Sequence, residues 1–246
     1  MGILDFTAIE FLQGFFSFII VFITFLTGIL IALKYFKTRK LTFLTIGLAW
    51  SGIIAGWIPD SVNFFLIIFN QPILSLTLYL VIAVGLYPPV LLLWVIGITE
   101  LLKVNKRKIY LILFLLYSII TEIFFFLFLI IDEKGLLGNY ISTFIIDFEI
   151  FSIFILFFSL IVIILSGLKF SLAAYNSSEA EVKLKGKLLL FAFISVSIGV
   201  VLDLLLVSLS PVLIVITRLI IAISSIALYC GFILPKWVKI LFLKQK

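Results

Sequence analysis

Residues 103–131 read KVNKRKIYLILFLLYSIITEIFFFLFLII, a basic cluster followed by an apolar run that contains a single charged residue, Glu122. The hydrocarbon core of a bilayer is about 30 Å thick, and a helix needs about 20 apolar residues to cross it. The run is therefore long enough to span a membrane, and we expect a helix that starts at the basic cluster. Long apolar runs between charged or turn-forming residues recur along the whole chain.

The composition agrees with a membrane protein. Of the 246 residues, 65% are hydrophobic and 12% are charged, whereas a soluble domain averages about 45–50% apolar and about 25% charged residues. Continuous apolar runs favour helices over the alternating strands of a barrel. We predict an all-α integral membrane protein in the cell membrane, one seven-helix domain over 1–246 without a soluble domain. The predicted spans are 8–33, 41–69, 72–102, 108–131, 140–168, 182–209 and 212–234.

The second run has two interpretations. Pro59, Asp60 and Asn63 interrupt it before its last apolar residues. Proline removes a backbone donor and bends or breaks a helix. The run is therefore either a kinked helix that turns at residues 70–72 or a short helix followed by a re-entrant segment.

The basic residues orient the predicted bundle. Four Lys or Arg side chains lie in each of the segments 34–40, 103–108, 169–187 and 236–246, which leaves only Lys134 and Arg218 elsewhere. Cytoplasmic segments carry the excess of Lys and Arg in membrane proteins. We therefore expect the N-terminus outside and the C-terminus in the cytoplasm. Because the net charge of +6 follows from this bias, we expect no nucleic-acid partner.

The sequence gives a weak indication of an internal repeat. Shifting the chain by 143 residues places Lys40 on Lys183, Gly56 on Gly199 and Asp60 on Asp203. This match predicts two three-helix repeats joined by a linker helix, an arrangement found in small transporters. Chance matches in a Leu- and Ile-rich sequence are the alternative.

Six charged residues lie away from the ends of the predicted spans: Asp60, Glu122, Asp147, Glu149, Asp203 and Arg218. A charged side chain at the centre of a membrane helix costs about 2.5–3.5 kcal/mol on insertion scales, so each needs a partner or a function. The predicted boundaries place all six roughly 10–13 Å from the outer ends of their helices. Their common depth predicts one ligand- or ion-binding site in the outer half of the bundle.

Other arrangements of these charges remain open. Five acids cannot all pair with one Arg, so we expect some to bind a cation, a protonated amine or water, or to relay protons. Asp147 and Glu149 point about 200° apart on a helix, so at most one faces the centre. The simplest alternative pairs Asp203 with Arg218 and leaves the other acids near the headgroups.

The residue types narrow the possible chemistry. The chain has no His and one Cys, Cys230, which excludes His-based acid–base catalysis, zinc sites and an internal disulfide. No Asp-x-x-Asp motif stands at helical spacing. We therefore expect no enzymatic activity, no cofactor and no metal site.

Residues 218–237 begin with Arg218-Leu-Ile and end with LYCGFILPKW. They resemble the terminal helix of prokaryotic seven-transmembrane sensor proteins, many of which place a seven-helix input region before a histidine kinase or another signalling domain. In this chain we expect no output domain after the helix, and we therefore expect signalling through a separate cytoplasmic partner. The topology is also similar to that of rhodopsin-like proteins, although span seven has no Lys for a retinal Schiff base.

Together these features predict a multi-pass sensor or receptor. It would bind a ligand or ion in its outer half and signal to a cytoplasmic partner at the 169–187 loop and the C-terminal tail. A homo-oligomer is one arrangement that this prediction leaves open. The tail suits a short helix in the membrane interface or a simple stop signal. The alternative function is a small cation- or proton-coupled transporter.

The charge bias generates a topological prediction. Reporter fusions in the 169–187 loop and at the C-terminus should report a cytoplasmic location, and a fusion after Lys134 should report an external one. The measurement is the activity of paired reporters that work on only one side of the membrane. An external C-terminus would contradict the predicted orientation.

Overall fold

The computed structural model describes residues 7–131, 134–206 and 211–243. Within these residues seven helices are long and apolar enough to cross a membrane, which confirms the multi-pass helical architecture. The predicted end of span six at 207–209 and the tail residues Lys244 and Lys246 lie outside the described residues. The spans are Ala8–Thr38, Leu41–Ile68, Leu76–Leu101, Arg107–Ile131, Ile150–Tyr175, Ala180–Asp203 and Leu213–Ile233.

Span one shows how the local sequence sets a helix end. Glu10 N donates a hydrogen bond to Thr7 Oγ1 at 3.2 Å, and Thr7 N donates to Glu10 Oε2 at 3.0 Å. This capping box satisfies donors that the first turn cannot pair internally. The α-helices are α1 (Ala8–Thr38), α2 (Leu41–Gly52), α3 (Ile58–Ile68), α4 (Leu76–Leu80), α5 (Tyr87–Leu101), α6 (Arg107–Ile131), α7 (Lys134–Leu137), α8 (Ile150–Tyr175), α9 (Ala180–Leu206), α10 (Pro211–Ile233) and α11 (Lys236–Leu243).

Span two is the kinked helix of the first interpretation. A 3₁₀ segment, Ile53–Trp57, joins α2 to α3, and Pro59 lies in the first turn of α3. Proline is tolerated there because its missing N–H would have no partner in the helix. The chain therefore stays helical to Ile68, and the re-entrant alternative is wrong.

Span three is interrupted in a similar way. A π-helical segment, Val81–Gly85, follows α4, and α5 starts afresh with Pro88 and Pro89 in its first turns. Single π turns accommodate local mismatches in helical hydrogen bonding. Both interrupted spans carry residues of the site described below.

The predicted span 140–168 is wrong at both ends. Residues Gly138–Ser142 form strand β1, which pairs antiparallel with strand β2, Ile145–Phe148. Helix α8 starts only at Ile150 and continues to Tyr175. Gly138 has a φ of +149°, a conformation that favours glycine and suits the entry to a hairpin. The apolar strand residues had extended the predicted helix because hydropathy alone does not separate a short apolar strand from a helix.

The predicted cytoplasmic loop 169–187 is also mostly helical. Helix α9 starts at Ala180, so only residues 176–179 connect it to α8. In the tail, α11 forms the predicted short helix, and Lys239 Nζ lies 2.7 Å from Glu181 Oε1 at the start of α9. Val238 of α11 also shares a buried apolar cluster with Leu184 of α9, so apolar packing and the ion pair together hold the tail helix against span six.

The core lies among spans one, two, three, five, six and seven. Trp50, Trp94 and Phe193 are fully buried, and Phe193 packs edge-on against both indoles. Helix α6 is peripheral and buries only Ser118, Thr121 and Phe125. Most of its other apolar side chains are exposed on the outside of the bundle, where lipid replaces water as the solvent.

Spans one and two approach most closely at two glycines. A Cβ on Gly47 would lie 2.6 Å from the carbonyl O of Gly28, and a Cβ on Gly28 would lie 2.7 Å from the carbonyl O of Gly47. Small residues let membrane helices bring their backbones together. No side chain fits between these two helices at this level.

Replacing Gly47 with Ala should therefore destabilise the bundle. Overpacking of this kind costs about 1–3 kcal/mol, which should lower the thermal unfolding midpoint measured in detergent. Gly56→Ala is the control, because its Cβ would lie 3.4 Å from Tyr87 Oη, at the limit of ordinary contact. Equal midpoints for the two variants would show that the helices separate without cost.

Candidate functional site

Three buried charged residues meet between α3, α9 and α10. Arg218 Nη2 lies 3.8 Å from Asp60 Oδ2, and Arg218 Nε lies 3.6 Å from Asp203 Oδ1. The exposed fractions are 2% for Arg218, 4% for Asp60 and 6% for Asp203. The expected pair of Asp203 and Arg218 is therefore present, and Asp60 joins it as a second carboxylate.

Span one completes the surroundings of the guanidinium. Arg218 Nη1 donates hydrogen bonds to the carbonyl O of Gln13 and to Ser17 Oγ. The 3.6 Å separation of Nε from Asp203 is an ion-pair distance, and Nε has no hydrogen-bond partner among the described residues. Arg218 thus links spans one, two, six and seven.

Both carboxylates receive further donors. Tyr79 Oη donates to Asp60 Oδ1 at 2.6 Å, and Ser17 Oγ donates to Asp60 Oδ2 at 3.4 Å. Trp57 Nε1 donates to Asp203 Oδ2 at 2.9 Å, and Thr217 Oγ1 donates to Asp203 Oδ1 at 2.8 Å. Hydrogen bonds of this kind stabilise buried carboxylates in their charged form.

The interrupted helices position these donors. Trp57 is the last residue of the 3₁₀ segment, Asp60 follows in the first turn of α3, and Tyr79 lies just before the π-helical segment. An uninterrupted helix would project these side chains at the regular 100° interval. The irregular turns instead bring donors from spans two and three to the two carboxylates.

A cavity of about 190 Å³ adjoins the charged cluster. Asp60, Asp203 and Arg218 are its charged lining residues, and most of the remaining wall is apolar or aromatic. Thr24 and Ser225 face it from spans one and seven and share a hydrogen bond of 2.8 Å. The mixture of an apolar wall and a few buried polar groups is typical of small-molecule sites.

The β-hairpin contributes Phe144, Ile146 and Phe148 to the cavity wall. Asn63, which is fully buried, holds the hairpin in place: its Nδ2 donates to the carbonyl O of Thr143 at 3.1 Å. The same side chain accepts a hydrogen bond from Leu74 N at 2.9 Å. The hairpin is thereby attached to span two and to the connection that follows it.

Tyr140 adds a second attachment of the hairpin. Its hydroxyl donates to the carbonyl O of Leu74 at 3.0 Å, and its ring packs edge-on against Tyr79. Burial raises the pKa of Tyr140 above its ordinary value, so the hydroxyl keeps its proton and remains a donor. The hairpin is therefore a fixed part of the cavity wall.

The structure separates the other three predicted site residues from this cluster. Asp147 is exposed in β2, and Glu149 is half-buried at the residue before α8. Neither lies in a membrane helix, so the common depth predicted for them is wrong. Glu122 is half-buried on the peripheral helix α6, and it forms no ion pair within the part of the chain that the structure describes.

Several partners of the cluster were not predicted from the sequence, namely Gln13, Ser17, Trp57 and Thr217. Gln13, Ser17 and Thr24 follow one another at intervals of four and seven residues along α1. Such spacing places side chains on one face of a helix. A polar stripe on an otherwise apolar span was therefore the signal that could have found Gln13 and Ser17.

Searches with protein-family models, curated proteins and solved structures give no significant match to this chain. The function must therefore be argued from the geometry of the cluster and its cavity.

Removing the guanidinium should destabilise the protein strongly. Arg218→Gln leaves two buried carboxylates without their cation, and breaking a buried ion pair in this way costs about 3–5 kcal/mol. The triple variant Arg218→Gln/Asp60→Asn/Asp203→Asn removes all three charges and should recover much of the loss. Thermal or denaturant unfolding in detergent measures both effects.

Arg107→Gln provides the control for this comparison. Arg107 Nη2 lies 3.2 Å from Glu100 Oε2, but both side chains are more than a third exposed. Exposed ion pairs contribute about 0–1 kcal/mol, so this variant should unfold almost like the parent. If Arg218→Gln is as stable as Arg107→Gln, the buried cluster does not support the fold.

Proposed function

We propose that this multi-pass membrane protein is a receptor-like sensor. It binds a small organic ligand in the cavity beside Asp60, Asp203 and Arg218, and it signals to a separate cytoplasmic partner. The observation that carries the proposal is the cavity itself, about 190 Å³ of space beside a buried charged cluster. Closely packed helices rarely leave a space of this size beside buried side chains.

The position of the cavity supports ligand sensing. Its wall includes Thr24 of span one, Trp57 of span two, Tyr79 of span three, Ile163 of span five and Val200 of span six. A ligand in this cavity would contact residues of most of the spans. Ligands shift a conformational equilibrium by binding one arrangement more tightly than another.

Helix α9 offers a direct route from the cavity to the proposed cytoplasmic face. Asp203 lies near one end of α9, and Glu181 lies about 33 Å away at the other end. There Glu181 binds Lys239 of α11. A small tilt or shift of α9 at the cavity would therefore move the tail helix, and helix shifts of this kind are common in signalling proteins.

Filling the cavity tests the ligand site. Val200 lines the cavity and Ile198 is half exposed on the same helix, so Val200→Trp should occupy the space while Ile198→Trp adds the same side chain toward lipid. Compounds that raise the unfolding temperature of the purified parent should lose this effect in Val200→Trp and keep it in Ile198→Trp. Equal stabilisation of both variants would show that the ligands bind elsewhere.

A transporter is the second candidate function, and the surplus carboxylate of the cluster favours it because a transported cation could balance that charge. Reconstitution of the protein in liposomes separates the two functions. A receptor should bind the stabilising compound without carrying it, so uptake should equal that of Val200→Trp liposomes. Uptake above this background would favour the transporter.

A further inference from the structure

We infer that the ligand of this cavity is an organic cation, a single ammonium group on a small aromatic or alkyl body. The inference rests on the proposed function and adds the chemical class of the ligand. Three separate features of the cavity support it: the sign of its charge, the nature of its wall and its size.

The charge of the lining favours a cation. Asp60 and Asp203 with Arg218 carry a formal charge of −1 when both acids are ionised, and no other Asp, Glu, Lys or Arg is among the lining residues that the structure describes. Arg218 already contacts both carboxylates and two groups of span one. An anionic ligand would add to the surplus, whereas one ammonium group would balance it.

The wall of the cavity also suits an ammonium group. Trp57 and Tyr79 line the cavity, and each donates a hydrogen bond to one of the carboxylates, so aromatic rings stand beside the acids. Aromatic rings attract organic cations through their negative faces. The other aromatic lining residues are Trp50, Tyr87, Phe144, Phe148 and Phe157.

An unpartnered donor on a lining residue leads us to expect a polar atom on the ligand. Trp50 is fully buried and lines the cavity, and its Nε1 has no hydrogen-bond partner among the described residues. Trp50 and Asp60 both belong to span two, and both line the cavity. A ligand with its ammonium group at the carboxylates could place an acceptor near this indole.

The size and polarity of the cavity exclude bulky and hydrated ligands. An apolar cavity of about 150 Å³ holds one benzene molecule, so 190 Å³ takes a ring with a short chain. The mostly apolar wall offers few groups that could replace the water molecules around a hydrated metal ion. Within the described residues no group of three or more Cys, Asp or Glu side chains is placed to hold a metal.

Matched triplets of compounds test the inference on the purified full-length chain in detergent. Each triplet has one carbon skeleton with an amine, an alcohol or a carboxylate, as in phenethylamine, 2-phenylethanol and phenylacetate. Calorimetry and the unfolding temperature report binding. We expect the amines to bind at least tenfold more tightly than the alcohols and the carboxylates to bind more weakly still.

Charge variants separate the cation preference from general binding. Asp60→Asn and Asp203→Asn each remove the surplus charge, and either should lower the amine preference about tenfold. Asp147→Asn is the matched control, because this exposed carboxylate lies outside the cavity lining, and it should leave the preference unchanged. Two alternative variants keep the test usable if one of them fails to fold.

The indole donor has its own comparison. Tyramine carries a phenol oxygen that phenethylamine lacks, so Trp50→Phe should weaken tyramine binding about threefold to tenfold, the usual effect of one hydrogen bond. Phenethylamine binding should change little. If the two amines lost the same affinity in Trp50→Phe, the proposed ligand would not need an acceptor for this indole.

The outcomes distinguish this inference from the proposed function. If alcohols or carboxylates bind as tightly as the amines, and Val200→Trp abolishes that binding, the cavity is a ligand site but the cation class is wrong. If amines bind equally to the parent and to Val200→Trp, the cation class is likewise wrong for this cavity. If no compound of any charge binds the parent, the proposed function fails as well.

Discussion

The structure depends on the neutralisation of one guanidinium inside the membrane. Arg218 cannot lose its charge in a protein, and moving an isolated ion into an apolar medium is very costly. Two carboxylates, a hydroxyl and a backbone carbonyl therefore surround it. These groups come from different spans, so one charge fixes the relative positions of spans one, two, six and seven.

The irregular turns of spans two and three follow from the same requirement. The 3₁₀ segment before Asp60 and the π-helical segment after Tyr79 depart from the ideal helix where the cluster needs its donors. Pro59 and Pro88 lie in first turns, where proline is tolerated. The departures leave space beside the cluster, which is the cavity. The cavity is therefore lined both by residues of the irregular segments and by the buried charged residues.

Features that depend on the local sequence, such as the length of an apolar run or the position of a proline, were predictable. Apolar length located the seven spans, and Pro59 indicated the kink in span two. The cost of burying Arg218 indicated its pairing with Asp203 as one of the alternatives. The hairpin at 138–148 was missed because its apolar residues adjoin span five, although Gly138, Asn139, Ser142, Thr143 and Asp147 interrupt the apolar run. The same error placed Asp147 and Glu149 inside the membrane. The shift of 143 residues matches Asp60 to Asp203, the two acids that Arg218 joins. The repeat that this match indicates stays a prediction.

The buried cluster has a consequence for biosynthesis. Ribosomes add about 5–20 residues each second, and Arg218 follows Asp60 by about 160 residues. Asp60 therefore leaves the ribosome roughly 10–30 s before its counter-ion exists. During that interval the carboxyl group has to carry a proton or remain near water at the translocon. A charged Asp60 in span two gains its counter-ion only when span seven has been inserted. We therefore expect span seven to complete the insertion of span two.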